Sequence, residues 1–207
     1  MRGKEAIVVF DPFEGLGIPE PKANADVVLC SHSHRDHNNS DPVLKEGGTV
    51  LEGFVGSREV SGISVKGIAT FHDAVSGSQR GKNSIYGVQL DSLRFCHLGD
   101  LGHDLISKHI VEIGEIDVLL TPVGGGPTIG PDLASSIIER LDPRIVVPMH
   151  YNADIPGQRE WMSSRLYKVD DFLVSSEGNV ERLDGRSFEI TKEDLPKGRK
   201  IIVPTFT

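Results

Sequence analysis

His32-Ser33-His34-Arg35-Asp36-His37 places four metal-ligand side chains within six residues, directly after the apolar run Asp26-Val27-Val28-Leu29-Cys30. Imidazole nitrogens and carboxylate oxygens suit zinc, iron, manganese or nickel. The apolar run reads as a buried strand, and a loop leaving a strand's C-terminal end is a frequent place for chemistry. In extended backbone His32 and His34 point the same way, because side chains alternate with period two. Asp36 and His37 need the loop to turn before they can face a second metal beside the first. A solvated polar loop is the bland alternative, and this density of ligand types after an apolar strand weighs against it.

Later ligands are present. His72 in Thr70-Phe71-His72-Asp73, Asp100 in His97-Leu98-Gly99-Asp100 and His150 in Val147-Pro148-Met149-His150-Tyr151 each follow an apolar, strand-like run. Strand ends that converge would bring these loops to one sheet edge. His32, His34 and His72 then suit one metal, and Asp36, His37 and His150 the other. Asp100 is expected to bridge them, its negative charge holding two dications close together. Asp73 is expected to orient the His72 ring, as ligand histidines commonly require. His97 and His103, flanking the Gly-Asp pair, are candidates for supporting contacts behind the ligands. Arg80 and Asn83, in and beside the glycine-rich 77–81 loop, are candidates for holding a substrate anion. Gly124-Gly125-Gly126 suits close approach of backbone to substrate. Ser31 and Ser33 read as loop spacers, and His109 as a structural helix residue.

Taken together, the H-x-H-x-D-H run, the later His, the Gly-Asp pair and the final Pro-Met-His resemble the metallo-β-lactamase superfamily. More narrowly, the chain resembles its UlaG-like branch of metal-dependent hydrolases. That match is carried by Asp11-Pro12-Phe13, 31–39, Phe71-His72-Asp73, 80–86, 97–103, 122–129 and 147–151. The resemblance implies an α/β fold, an αβ/βα four-layer sandwich of two mixed β-sheets with outer helices. It also implies a dinuclear site at one edge, holding two divalent metal ions, Zn2+ first, with Mn2+, Fe2+ or Ni2+ as alternatives. The implied activity is hydrolysis: a metal-bridging hydroxide attacks an ester, lactone or phosphodiester of a small anionic substrate. Asp36 would be both ligand and proton acceptor. A non-enzymatic metal-binding or sensor domain is the competing class, and a nuclease the third. Family members begin with a further strand pair upstream of the strand over 6–10, and here only five residues precede it. Either the start is late or truncated, or the first sheet has lost its edge, and an unpaired edge strand would invite a second copy of the chain and a homo-oligomer.

Composition sets outer bounds. The 207 residues show no repeat or Pro/Ser-rich linker, so a single metallo-hydrolase domain over 1–207 is expected. Lys plus Arg number 22 against 30 Asp plus Glu, a net charge of −8 that weighs against a general nucleic-acid binder. No apolar run approaches the roughly 18–20 residues of a membrane span, and the first one is too short for a signal-peptide core. No membrane partner and a cytoplasmic location are expected. Cys30 and Cys96 sit in apolar strands and read as buried free thiols.

Further elements follow from period and punctuation. Strands are expected over 6–10 and 26–30, then a meander over 49–51, 59–60 and 63–70, and a hairpin of 85–90 with 93–97 about Asp91-Ser92. Helices are expected to start at Ser40-Asp41-Pro42, and over 105–113, 132–141 and 169–175, with strands at 117–122 and 145–147 between them. A terminal hairpin is expected from 180–183 and 187–190.

Overall fold

In the computed structural model, which describes residues 1–155 and 165–205, the strands fall into two sheets. β1 (Val8–Phe10), β2 (Ala25–Cys30) and β3 (Leu44–Glu52) form a parallel three-stranded sheet. The second sheet begins with β4 (Gly56–Val60), β5 (Ile63–Phe71), β6 (Lys82–Leu90) and β7 (Leu93–His97), which are antiparallel neighbours. It continues with β8 (Val118–Pro122), β9 (Ile145–Met149), β10 (Asn179–Arg182) and β11 (Lys200–Val203), all parallel. The strand order is β10-β11-β9-β8-β7-β6-β5-β4. α1 (Ser107–Ile113) and α2 (Pro131–Leu141) make the crossovers between the parallel strands β7, β8 and β9, and α3 (Val169–Val174) follows β9.

Local chemistry explains the punctuation. Asp91 and Ser92 both take positive φ (49° and 67°), the geometry a two-residue turn needs to match the twist of β6 and β7. α2 starts with Pro131, carries Asp132 in its first turn and Arg140 in its last, and stops at Asp142 in the left-handed region. Its buried residues Ala134, Ile137, Ile138 and Leu141 recur at helical spacing and face the large sheet.

Alternation along the large sheet sorts its side chains onto two faces. Ile68, Ile85, Cys96, Leu119, Val146 and Ile201 pack with all three helices. On the opposite face, Ile63, Val65, Tyr86 and Val88 meet Val8, Val27, Leu29 and Leu51 of the small sheet. The rest of that face, around Val118, Ile145 and Ile202, is covered by Leu183, Phe188, Ile190 and Leu195. Tyr86, fully buried, ties the two sheets. Its hydroxyl accepts the Phe54 N–H at 2.9 Å and lies 3.0 Å from both the Cys30 and Leu51 carbonyls.

Several expected elements differ. Ser40-Asp41-Pro42 closes a single turn, with Val43 and Leu44 N–H donating to the Ser40 carbonyl, and the chain then enters β3. The expected meander is split, since β3 pairs parallel with β2 while β4 and β5 form a hairpin in the other sheet. Residues 187–190 do not pair: β10 pairs with β11, unforeseen in the sequence, and Phe188 and Ile190 instead pack, half-buried, against the large sheet. β1 is an outer strand, and Met1 folds back on it and exchanges hydrogen bonds with both polar groups of Val8. Cys30 and Cys96 are buried and free. No helix among the described residues is long and apolar enough to cross a membrane.

Candidate metal centre

Six strands point their C-terminal ends, or in one case its start, at one edge of the sandwich. β2 leads into Ser31 and His32, β5 into His72, β7 into Asp100 and β9 into His150, while β1 delivers Asp11 and β6 begins beside Arg80. This is the carboxyl-end placement expected of ligand sites in α/β sheets.

Two groups of ligand atoms come together there. Atoms of His32, His34 and His72 lie within 4.8 Å of one another, as do atoms of His32, His37 and Asp100. Asp100 Oδ2 joins the two groups, standing 3.2 Å from His72 Nε2, 3.3 Å from His37 Nε2 and 3.5 Å from His150 Nε2. Asp36 stands slightly apart, with Oδ2 3.9 Å from His37 Nε2 and its side chain 36% exposed. It lines one cavity of roughly 350 Å³ together with His34, His72, Asp100 and His150.

The donor set fits a divalent metal. Buried polar atoms are normally hydrogen-bonded, yet His32 Nε2 is buried with no such partner among the described residues. Burial, reinforced by the charge of His37, pushes the His32 imidazole down to about 4, which keeps it neutral and ready to donate a lone pair. Burial also lowers His34. Burial alone would raise Asp100, but the neighbouring His150 and His37 hold its carboxyl well below the usual range. A negative charge amid the imidazoles favours a bound cation.

Backbone and buried polar groups hold the ligands in place. Gly99 adopts φ 58° and packs so tightly that a Cβ would sit 2.4 Å from Asn83 Oδ1 and 2.5 Å from Ser31 Cβ. Gly124 similarly leaves room for His150, whose carbonyl oxygen would lie 1.9 Å from a Cβ there. His150 itself takes φ 54°, an uncommon conformation for a residue with a side chain.

The supporting residues differ from expectation. Asn83 is not a substrate contact: it is 1% exposed, donates to Thr70 Oγ1 (2.8 Å) and the Leu98 carbonyl (3.0 Å), and accepts the Asp100 N–H (3.0 Å). Asp73 does not orient His72. Its oxygens accept the backbone N–H groups of Val75, Gly77, Gln79 and Arg80, folding the loop that carries Arg80. His103 lies outside the centre, accepting the Phe71 N–H at 3.1 Å. His97 lies with Nε2 2.8 Å from Asp11 Oδ2. Arg80 lines the cavity, and so does Arg165, which nothing in its local sequence signals. Sequence reasoning also missed Asp11 and Ser31, joined by two hydrogen bonds of 2.6 and 2.8 Å. The Asp-Pro pair directly after an apolar strand was the available clue.

Comparisons with known proteins agree with this geometry. Residues 1–150 match the family model described as the beta-lactamase superfamily domain. A metal-dependent hydrolase of Thermus thermophilus is 31% identical over 213 residues, covering 88% of this chain and 93% of the relative. One of Thermococcus onnurineus is 30% identical over 173 residues, covering 70% of this chain and 77% of the relative. A crystal structure from Thermotoga maritima, named for the zinc-dependent hydrolases of the metallo-β-lactamase superfamily, has 36% identity and a TM-score of 0.79. It covers 98% of this chain, and 91% of its own is covered in turn. The chain belongs to the beta-lactamase superfamily, among its metal-dependent hydrolases.

Proposed function

We propose that the chain hydrolyses an ester, lactone or phosphodiester bond in a small anionic molecule, using two divalent metal ions, Zn2+ first among them. Two metals supply, when bound, a water of lowered pKa and a Lewis acid for the substrate's carbonyl or phosphoryl oxygen. His32, His34 and His72 would hold one ion; His37, His150 and Asp36 the other; Asp100 would serve both. Asp36, partly exposed in the cavity, is suited to orient the attacking water and take its proton.

One observation carries the substrate class. The cavity that exposes the ligand residues is also lined by Arg80 and Arg165, and neither guanidinium has an ion-pair partner among the described residues. Guanidinium groups beside a reaction centre suit a carboxylate or phosphate on the substrate. The resemblance to the UlaG-like branch adds the lactone of a phosphorylated sugar acid, or a phosphodiester, as first candidates.

The test is a panel of lactones, carboxylic esters and phosphodiesters, each with and without a phosphate substituent, assayed on metal-loaded protein. Turnover of a phosphorylated member, with KM raised about tenfold or more by Arg80→Ala, is the expected result. Unchanged turnover in a metal-retaining Asp36→Asn variant would remove the role given to Asp36. Lack of hydrolysis across the panel by fully loaded protein would overturn the reading.

A further inference from the structure

We infer that Gly124-Gly125-Gly126 is a seat for the segment 165–168, and that Tyr167 is the positioning residue that holds Arg165 at the cavity. In sequence the glycine run suits close approach to a substrate; in the fold it is approached by the chain itself. The Tyr167 N–H donates to the Gly124 carbonyl at 2.8 Å, and the Asn152 N–H donates to the Tyr167 carbonyl at 2.9 Å. The segment is thereby stitched between the loop that follows β8 and the loop that follows β9 and carries His150.

Two of the glycines leave the room that parts of the segment fill. A Cβ on Gly125 would stand 3.0 Å from Tyr167 Cδ2, and one on Gly126 would stand 3.1 Å from the Arg165 carbonyl oxygen and 3.3 Å from Leu166 Cδ2. Both take positive φ, 67° and 65°, which a residue with a side chain rarely adopts. The seat is fastened in turn to the metal centre. The Gly125 N–H donates to the Ile129 carbonyl at 3.1 Å, and the Ile129 N–H donates at 2.9 Å to the carbonyl of Leu101, the residue after Asp100. A short run of backbone bonds therefore sets where the segment lies relative to Asp100. Arg165 and Leu166 line the same cavity as His34, His72, Asp100 and Arg80. A fixed backbone leaves an arginine less freedom to lose when its guanidinium takes up an anion, which strengthens binding. Tyr167 is 55% exposed, so its ring serves the seat more than the core.

This inference rests on reading the cavity as a site for the substrate's anion, and the experiment separates the two. Inorganic phosphate is titrated calorimetrically into Zn2+-loaded full-length wild type, Arg80→Ala, Arg165→Ala, Tyr167→Ala, Gly126→Ala and the double variant Tyr167→Ala/Arg165→Ala. Zinc per chain and a thermal melt are recorded for each. Arg165→Ala is expected to weaken phosphate binding by about tenfold or more. Tyr167→Ala and Gly126→Ala are expected to weaken it by about three- to tenfold at unchanged zinc content. In the Arg165→Ala background Tyr167→Ala should add nothing, because a positioning residue acts only through the side chain it places. Unaltered affinity in Arg165→Ala or Tyr167→Ala, effects that simply add in the double variant, or zinc lost from Tyr167→Ala each overturn the inference. Weakened binding in Arg80→Ala would then leave the anion site standing without the seat. If Gly126→Ala does not fold, the double-variant comparison decides alone. Zinc-loaded wild type that binds no phosphate, or phosphate affinity unaltered in both arginine variants, overturns the anion site and this inference with it.

Discussion

Replacing Asn83 with alanine separates a buried support from a substrate contact. Asn83 is 1% exposed, and its side chain makes three hydrogen bonds, to Thr70 Oγ1, to the Leu98 carbonyl and from the Asp100 N–H. Each neutral bond contributes about 1 kcal/mol, and the groups left behind are buried, so the expected loss is about 3 kcal/mol. For a chain of this size that corresponds to a fall of roughly 6–12 °C in Tm. One of the three bonds holds the backbone of Asp100, whose carboxylate joins the two ligand groups, so metal affinity should fall by about 10-fold or more. Thermal melts of the metal-stripped protein and a chelator competition measure the two effects separately. A variant with unchanged Tm and metal affinity but raised KM would refute this reasoning and return Asn83 to the substrate.

Other perturbations follow from the same structure. Tyr86→Phe deletes a hydroxyl that serves the Phe54 N–H and the Cys30 and Leu51 carbonyls between the sheets. Denaturant unfolding should show a loss of about 2 kcal/mol; no loss would mean the sheets do not depend on it. Gly99→Ala forces a side chain into φ 58° and against Asn83 and Ser31. It should cost about 2–5 kcal/mol and strip metal from both halves of the centre, measured as metal per chain. Asp117 gives a pH signature. Burial would raise its carboxyl, but hydrogen bonds from Arg94 and Lys192 bring it down to about 2. A carboxyl lowered in the folded state adds stability that is complete above its unfolded pKa near 4 and is lost as pH falls toward 2. After discounting for its partly exposed partners, Asp117→Asn should cost about 1–2 kcal/mol at pH 7. That gap to wild type should close between about pH 4 and 2, and a gap that stays constant would contradict the assignment.

The sequence made the cluster legible because ligand-type residues followed apolar strands, and strand ends share an edge in this kind of sheet. His32, His34, His37, His72, Asp100 and His150 converge for that reason. The roles of Asp73 and Asn83 were not legible. Both are polar residues beside ligands, and a residue type does not reveal whether its hydrogen bonds go to solvent, to a ring or to backbone. Asp11 was hidden for the related reason that its partners, Ser31 and His97, lie 20 or more residues away. Errors in the fold were also matters of distance along the chain. Phe188 and Ile190 alternate like a strand because they pack, half-buried, against the large sheet, while the partner of β10 lies further on, at Lys200–Val203. Short apolar alternation reports burial, and pairing needs the tertiary structure.

The most direct test of the account is metal content per chain in wild type and Asp100→Ala. Asp100 Oδ2 lies within 3.5 Å of histidines from both groups, so one substitution should disturb both. The account predicts close to two divalent ions in wild type and a fall at both positions in the variant. Absence of bound metal in wild type after supplementation with zinc, manganese or iron, or full occupancy retained in Asp100→Ala, would contradict it.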